Sequence, residues 1–152
     1  MAHQCPNTYY KMLQKGQHVF DTDVFKIILM QSSFVFDRDT QNAYADVSGS
    51  ELPTANGYTV GGATLAGVAL NVDHVLDRSN VSWNNVSWTV SGGPITASGA
   101  IVYNDSTSTG GGDDYTKAIV GYIDFNGAQT ASDGSTFNIA GLVAFIKKVT
   151  GT

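Results

Sequence analysis

From Val24 the chain reads VFKIILM, which sets Phe25, Ile27 and Leu29 on one side of an extended segment and Val24, Lys26, Ile28 and Met30 on the other. The lysine marks the second side as the outer face. FVF at 34–36 continues the strand or returns it. Further on, Leu65 precedes an alternation of Val68, Leu70 and Val72, after a Gly61-Gly62 turn or bulge. Past Gly92-Gly93-Pro94, the stretch ITASGAIVY places Ile95, Ala97, Gly99, Ile101 and Tyr103 on one face. YTKAIVGYIDF is another strand, followed by Asn126-Gly127, and TFNIAGLVAFIKKV supplies one or two closing strands. About eight short strands punctuated by glycine pairs predict an all-β, antiparallel sandwich or barrel. With no alternation of strands and helices, a Rossmann or TIM architecture is excluded. The expected core is Phe25, Ile27, Leu29, Leu70, Val72, Trp88, Ile101 and Tyr103.

NVSWNNVSW, residues 80–88, repeats one tetrapeptide and carries both tryptophans. On one flat strand Trp83 and Trp88 would face opposite sides, because side chains alternate. Asn84 and Asn85 tolerate left-handed backbone and suit a bend. A bend there ends one strand and starts the next, so both indoles can enter one core. Val86, Trp88 and Val90 then point inward, with Ser87, Thr89 and Ser91 outside. The competing use of paired aromatics is a stacking platform for a sugar or base.

Helical spacing occurs at the start of the chain. Asn7 can cap a short helix whose apolar face is Tyr9, Met12 and Leu13, and Gly16 ends it. So short a helix does not persist alone in water and must dock on something, either its own sheet or a neighbouring subunit. The polar KGQH stretch after it reads as a hinge. Residues 1–20 are therefore expected to be an arm and residues 21–152 a single β domain, with Tyr9, Tyr10, Met12, Leu13, Val19 and Phe20 as the oligomer or capsid contact. The long polar run 37–57 is expected to be a functional excursion or an interface element.

Composition narrows the function more than it widens it. Charged residues are 14% of the 152, against roughly 25% in an ordinary soluble domain. The deficit is filled by Gly, Ser, Thr and Asn, which suits strands and turns. A net charge of −5 without any basic stripe argues against nucleic acid. Lys147-Lys148 reads as a solubilising strand end. Cys5 is the only cysteine, so no intrachain disulfide forms and no redox role is expected. The first residues have neither a cationic nor an apolar signal region, and no apolar run nears the ~18 residues that cross a bilayer. The expectation is a protein made and kept soluble in a cytoplasm, in which the acceptor-like triplets at Asn80, Asn85 and Asn104 are chance matches.

Catalytic patterns are missing. There is no Gly-x-Ser-x-Gly elbow and no phosphate loop, and His3, His18 and His74 lie far apart. The acidic pairs Asp21/Asp23, Asp37/Asp39 and Asp113/Asp114 read as turn formers rather than calcium ligands. STSTGGGDD reads as a flexible loop. Neither an enzyme nor a cofactor is expected, and no metal.

The segments DTDVFKIILMQSSFVF, NGYTVGGATLAGVALNVD, VSWNNVSWTVSGGPITASGAIVYND and IVGYIDF resemble small virion structural proteins of tailed bacteriophages, of the capsid decoration or cement type. The resemblance covers about residues 20–125. It implies a jelly-roll-like β-sandwich, location on the virion capsid surface, and binding to the major capsid protein as a homotrimer, with no catalytic residue. The alternative function is a tail- or fibre-associated β-sandwich module that binds a host receptor or carbohydrate. It calls for an exposed aromatic cluster with convergent Asn, Asp and Gln groups, whereas the cement reading calls for buried tryptophans and apolar contacts to other chains.

Overall fold

The expected strand FKIILM forms β2, Phe25–Met30, at the heart of the molecule. The computed structural model describes residues 2–75, 78–108 and 114–145, and the side chains of all of these except residues 2, 78 and 143–145. Lys147-Lys148, Asp113 and the glycines of STSTGGGDD lie outside the described residues. The chain is mostly β, and its sheets are antiparallel, as the glycine-punctuated strands require.

The largest sheet has five strands. β2 pairs with β3 (Ala63–Thr64) on one side and with β7 (Ile95–Asn104) on the other. β7 pairs in turn with β8 (Ile119–Ala131), and β8 with β1 (Ala2–Gln4). Among the described residues there are two smaller sheets. One joins β4 (Ala69–Asp73), β5 (Arg78–Ser82) and β10 (Val143–Phe145), and the other joins β6 (Val86–Thr89) to β9 (Thr136–Ile139).

The repeat at 80–88 turns the corner between these small sheets. Trp83 is 7% exposed and Trp88 8%, so both indoles enter the main core. Trp83 meets Phe20 and Phe25, and Trp88 meets Tyr58 and Phe137. Val86 and Val90 are buried and Ser87, Thr89 and Ser91 exposed, in the expected alternation. The tryptophans are not a surface platform.

Three expectations need correction. First, the Lys26 face of β2 is not outer, because Ile28 and Met30 are fully buried in a second apolar cluster. The segment after β2 covers that face. Phe36 stacks on Tyr122 and Phe34 meets the same ring edge-on. Tyr44 lies against Tyr103, and Val47 of helix α2 (Tyr44–Val47) is buried below. The long polar run is thus largely a lid on the sheet. Second, Ile95 to Tyr103 do not share one face. At Ser98 the ladder slips, with Ala97 opposite Gln129 but Gly99 opposite Asp124, so Ser98 alone stands against Phe125–Ala128. Asn126 and Gly127 take positive φ, 58° and 118°, to form this bulge. Ile95 and Ala97 therefore join Ala100 and Val102 in the main core, and Ile101 and Tyr103 the second cluster. Third, Leu70 and Val72 are not core; they are 61% and 66% exposed.

The N-terminal segment is built into the same domain. Helix α1 (Thr8–Gln14) ends at Gly16, whose φ is +66°. β1 is a strand of the five-stranded sheet, and Tyr9 and Met12 are fully buried. An arm over residues 1–20 is replaced by an edge strand and a docked helix.

Candidate functional site

The six residues expected to form the contact surface mostly face inward. Tyr9, Met12 and Phe20 are 0%, 1% and 7% exposed, and Tyr10 and Leu13 pack half-buried on the same core. Val19 alone is exposed, and its N–H donates to Asp23 Oδ2 at 2.9 Å. The apolar spacing was read correctly as one face, but that face meets the chain's own sheet.

Asp23, Asp37 and Asp114 each hold a partner within the fold. Asp23 Oδ2 also accepts from Asn104 Nδ2 at 2.6 Å, and Asn104 is fully buried, which takes the acceptor side chain itself off the surface. Asp37 accepts the Asp39 N–H and the Thr40 hydroxyl, and those bonds hold its carboxyl below the usual range. Asp114 pairs with Lys11 at 2.8 Å and Lys15 at 2.9 Å, tying the helix to the β7–β8 connection. Among the described residues, no group of three or more His, Cys, Asp or Glu could hold a metal ion. Burial pushes the Cys5 thiol up to about 11, which makes it a poor nucleophile at neutral pH.

Sequence reasoning passed over Glu51, the only glutamate in the chain. It is 4% exposed. The Tyr44 hydroxyl donates to Oε2 at 2.6 Å, the Tyr58 hydroxyl to Oε1 at 2.6 Å, and the Gly61 N–H to Oε1 at 2.7 Å. Tyr58 in turn accepts the Leu29 N–H at 3.1 Å, and Tyr103 donates to the Gly61 carbonyl at 3.1 Å. Every donor here serves the carboxylate or the backbone, and the cluster is closed. It clamps the 44–61 segment to β2 and β7. A lone Glu in a chain of aspartates was the only signal that could have marked it.

The surface holds two features of another kind. The first is the β4–β5 ribbon. Among the described residues β4 pairs only with β5, and Val68, Leu70, Val72 and Val75 are 39%, 61%, 66% and 89% exposed. Leu70 stands opposite Val81 of β5, which is 2% exposed and belongs to the core. Opposite residues share a face, so Leu70 and Val72 prolong the core face beyond what this chain covers. Single exposed apolar residues need no explanation, but a contiguous strip marks an interaction surface.

The second is a groove of about 360 Å³ between β8 and β9, lined by Phe125, Gln129, Thr130, Phe137, Asn138 and Ile139 among others. Its lining contains no ionisable side chain. Phe137 is buried in its floor against Phe125, with amides and hydroxyls at the rim.

Comparison with family models, curated proteins and solved structures finds no match to this chain.

Proposed function

We propose that this chain is a capsid decoration protein of a tailed bacteriophage, bound to the major capsid protein on the outer face of the head as a homotrimer. The fold proposed with it is a jelly-roll-like β-sandwich. The observation that carries the reading is the uncovered apolar strip of β4, since an all-β protein whose polar clusters are closed and whose core face runs out past its own edge is shaped to be completed by other chains. Buried tryptophans agree with it, because the rival reading wants its aromatics in solvent. No catalytic role is proposed for any residue.

The groove between β8 and β9 supports a second reading. A neutral lining with Gln129 and Asn138 above phenylalanines suits an uncharged carbohydrate, as a tail- or fibre-borne module would bind. Imaging of particles with and without the protein separates the two. Added density on the outer face of the head supports decoration, while density confined to the tail or fibres overturns it.

A further inference from the structure

We propose that the edge of β4 left unpaired among the described residues pairs antiparallel with the same edge of a second copy of this chain, fusing two β10–β5–β4 sheets into one continuous sheet. The proposal concerns the isolated protein and does not rest on the capsid reading. An edge strand offers a row of unpaired N–H and C=O groups, and proteins that stay apart blunt such edges with charge, proline or a bulge. Over Ala69–Val72 β4 has none of these, and its one charge, Asp73, stands at the end of the strand. From Thr54 to Val72 the chain contains no charged residue and no proline, and the β4–β5 ladder runs from Ala69↔Ser82 to Asp73↔Arg78 without a register shift.

Charge selects the occupant. Each copy carries −5, and among the described residues its acids lie at Asp21, Asp23, Asp37, Asp39, Asp46, Glu51, Asp73, Asp105, Asp114, Asp124 and Asp133. Most approaches of one copy to another are therefore repulsive. The stretch Ala69–Val72 is where two like-charged molecules meet with least of that cost, with Asp73 the only charge on the strand.

Register supports the same occupant. A two-fold axis normal to the sheet keeps Leu70 and Val72 of both copies on one face. Centring the axis on Asn71 pairs all of Ala69–Asp73, setting Leu70 against Val72 of the second copy and Val72 against its Leu70. Apolar cross-strand pairs of this kind stabilise antiparallel sheets. The same register places each Asp73 opposite an alanine, so the two aspartates do not face each other. One patch serves both partners, as an isologous contact requires. In a trimeric assembly this edge would join one trimer to the next.

The test uses the full chain with Cys5→Ser, so that introduced cysteines are the only thiols. Under mild oxidation Asn71→Cys should yield a disulfide-linked dimer, because position 71 meets itself across the axis. Val68→Cys should not, because position 68 lies well away from its own copy. Sedimentation velocity of the chain without cysteine substitutions should show mass rising with concentration, and Val72→Lys should abolish that rise while leaving the thermal melt in place. Equal cross-linking at 68 and 71, a monomer at every concentration, or an assembly indifferent to Val72→Lys would each overturn the proposal.

Discussion

The hydroxyls of Tyr44 and Tyr58 take opposite oxygens of the Glu51 carboxylate, each at 2.6 Å. The arrangement sets a backbone lid onto the sheet with a charge that has water on almost no side. Truncating Glu51 to Ala leaves both hydroxyls and the Gly61 N–H without their acceptor. Hydrogen bonds to a charged group contribute about 1.5–3 kcal/mol each, and orphaned donors add desolvation cost. Glu51→Ala should therefore lose more than about 3 kcal/mol in urea unfolding, and Glu51→Gln, which keeps the shape, clearly less. A Glu51→Ala protein as stable as the parent would show that the lid is held by its apolar contacts alone.

The same cluster makes stability depend on alkaline pH. Burial, and then the bond to Glu51, push the Tyr44 hydroxyl from 10.0 up to about 12. Tyr58 is raised by the same two causes, and Tyr103 and Tyr9 chiefly by burial. A raised folded-state value means the native chain holds its phenolic protons where the unfolded chain has released them. The stability they contribute is complete below pH 10 and falls as pH rises through 10 toward 12 and beyond. Unfolding free energy measured by urea titration from pH 9 to 12 should drop steeply in that window. Tyr58→Phe removes one of the titrating groups, so its curve should start lower and slope less.

Trp88 and Leu70 were both expected in the core, and they separate what a sequence pattern does and does not carry. Alternation states which residues share a face, and for Val86, Trp88 and Val90 that face is covered by Tyr58 and Phe137 from distant parts of the chain. For Leu70 and Val72 the alternation is equally regular, but they stand 61% and 66% exposed, with no described residue covering them. Coverage is a tertiary property, and periodicity is silent about it. Ile28 and Met30 show the converse, since one lysine among them suggested solvent until the 34–47 segment covered the face. The face assignment of Ile101 and Tyr103 failed for a local reason, because a bulge at Ser98 advances the register and Asn126-Gly127 signalled only a turn. The helix, the bend at Asn84-Asn85 and the all-β class were legible because each depends on neighbours in sequence. Glu51 was not, because its partners Tyr44, Tyr58 and Gly61 meet only after the lid folds down.

The contrast gives a direct measurement. Trp88→Ala should cost about 3–5 kcal/mol, as for other buried large-to-small changes. Leu70→Ala should stay within about 0.5 kcal/mol in dilute protein, as exposed positions do. A large loss at Leu70 in dilute solution would mean that the ribbon is covered within one chain.

Removing residues 1–16 tests the place of the N-terminus. Deletion strips β1 from the edge of β8 and empties the sites of Tyr9 and Met12, which are 0% and 1% exposed. Buried side chains of this size contribute about 1.5–3 kcal/mol each. The truncated domain should melt about 10 °C lower, given the usual few degrees per kcal/mol for a chain of this length. An unchanged melt would return the segment to the role of a free arm.

Gly62 should be the least replaceable glycine of the ribbon side. Its φ is +69°, a conformation that costs any residue with a Cβ. A Cβ there would also stand 1.9 Å from the Ile27 carbonyl oxygen and 2.7 Å from its carbon. Both obstacles are backbone of the central strand, so neither can swing aside. Gly62→Ala must therefore push the Gly61-Gly62 turn outward, which pulls β3 off β2 and shifts the Gly61 N–H from Glu51. Gly61 has a positive φ of 92° but open space around it, so Gly61→Ala carries the conformational cost alone. The expected order in thermal melts is parent above Gly61→Ala, and Gly61→Ala well above Gly62→Ala, with the second step the larger. Equal losses at the two positions would show that the turn yields freely and that the close packing against Ile27 contributes little to stability.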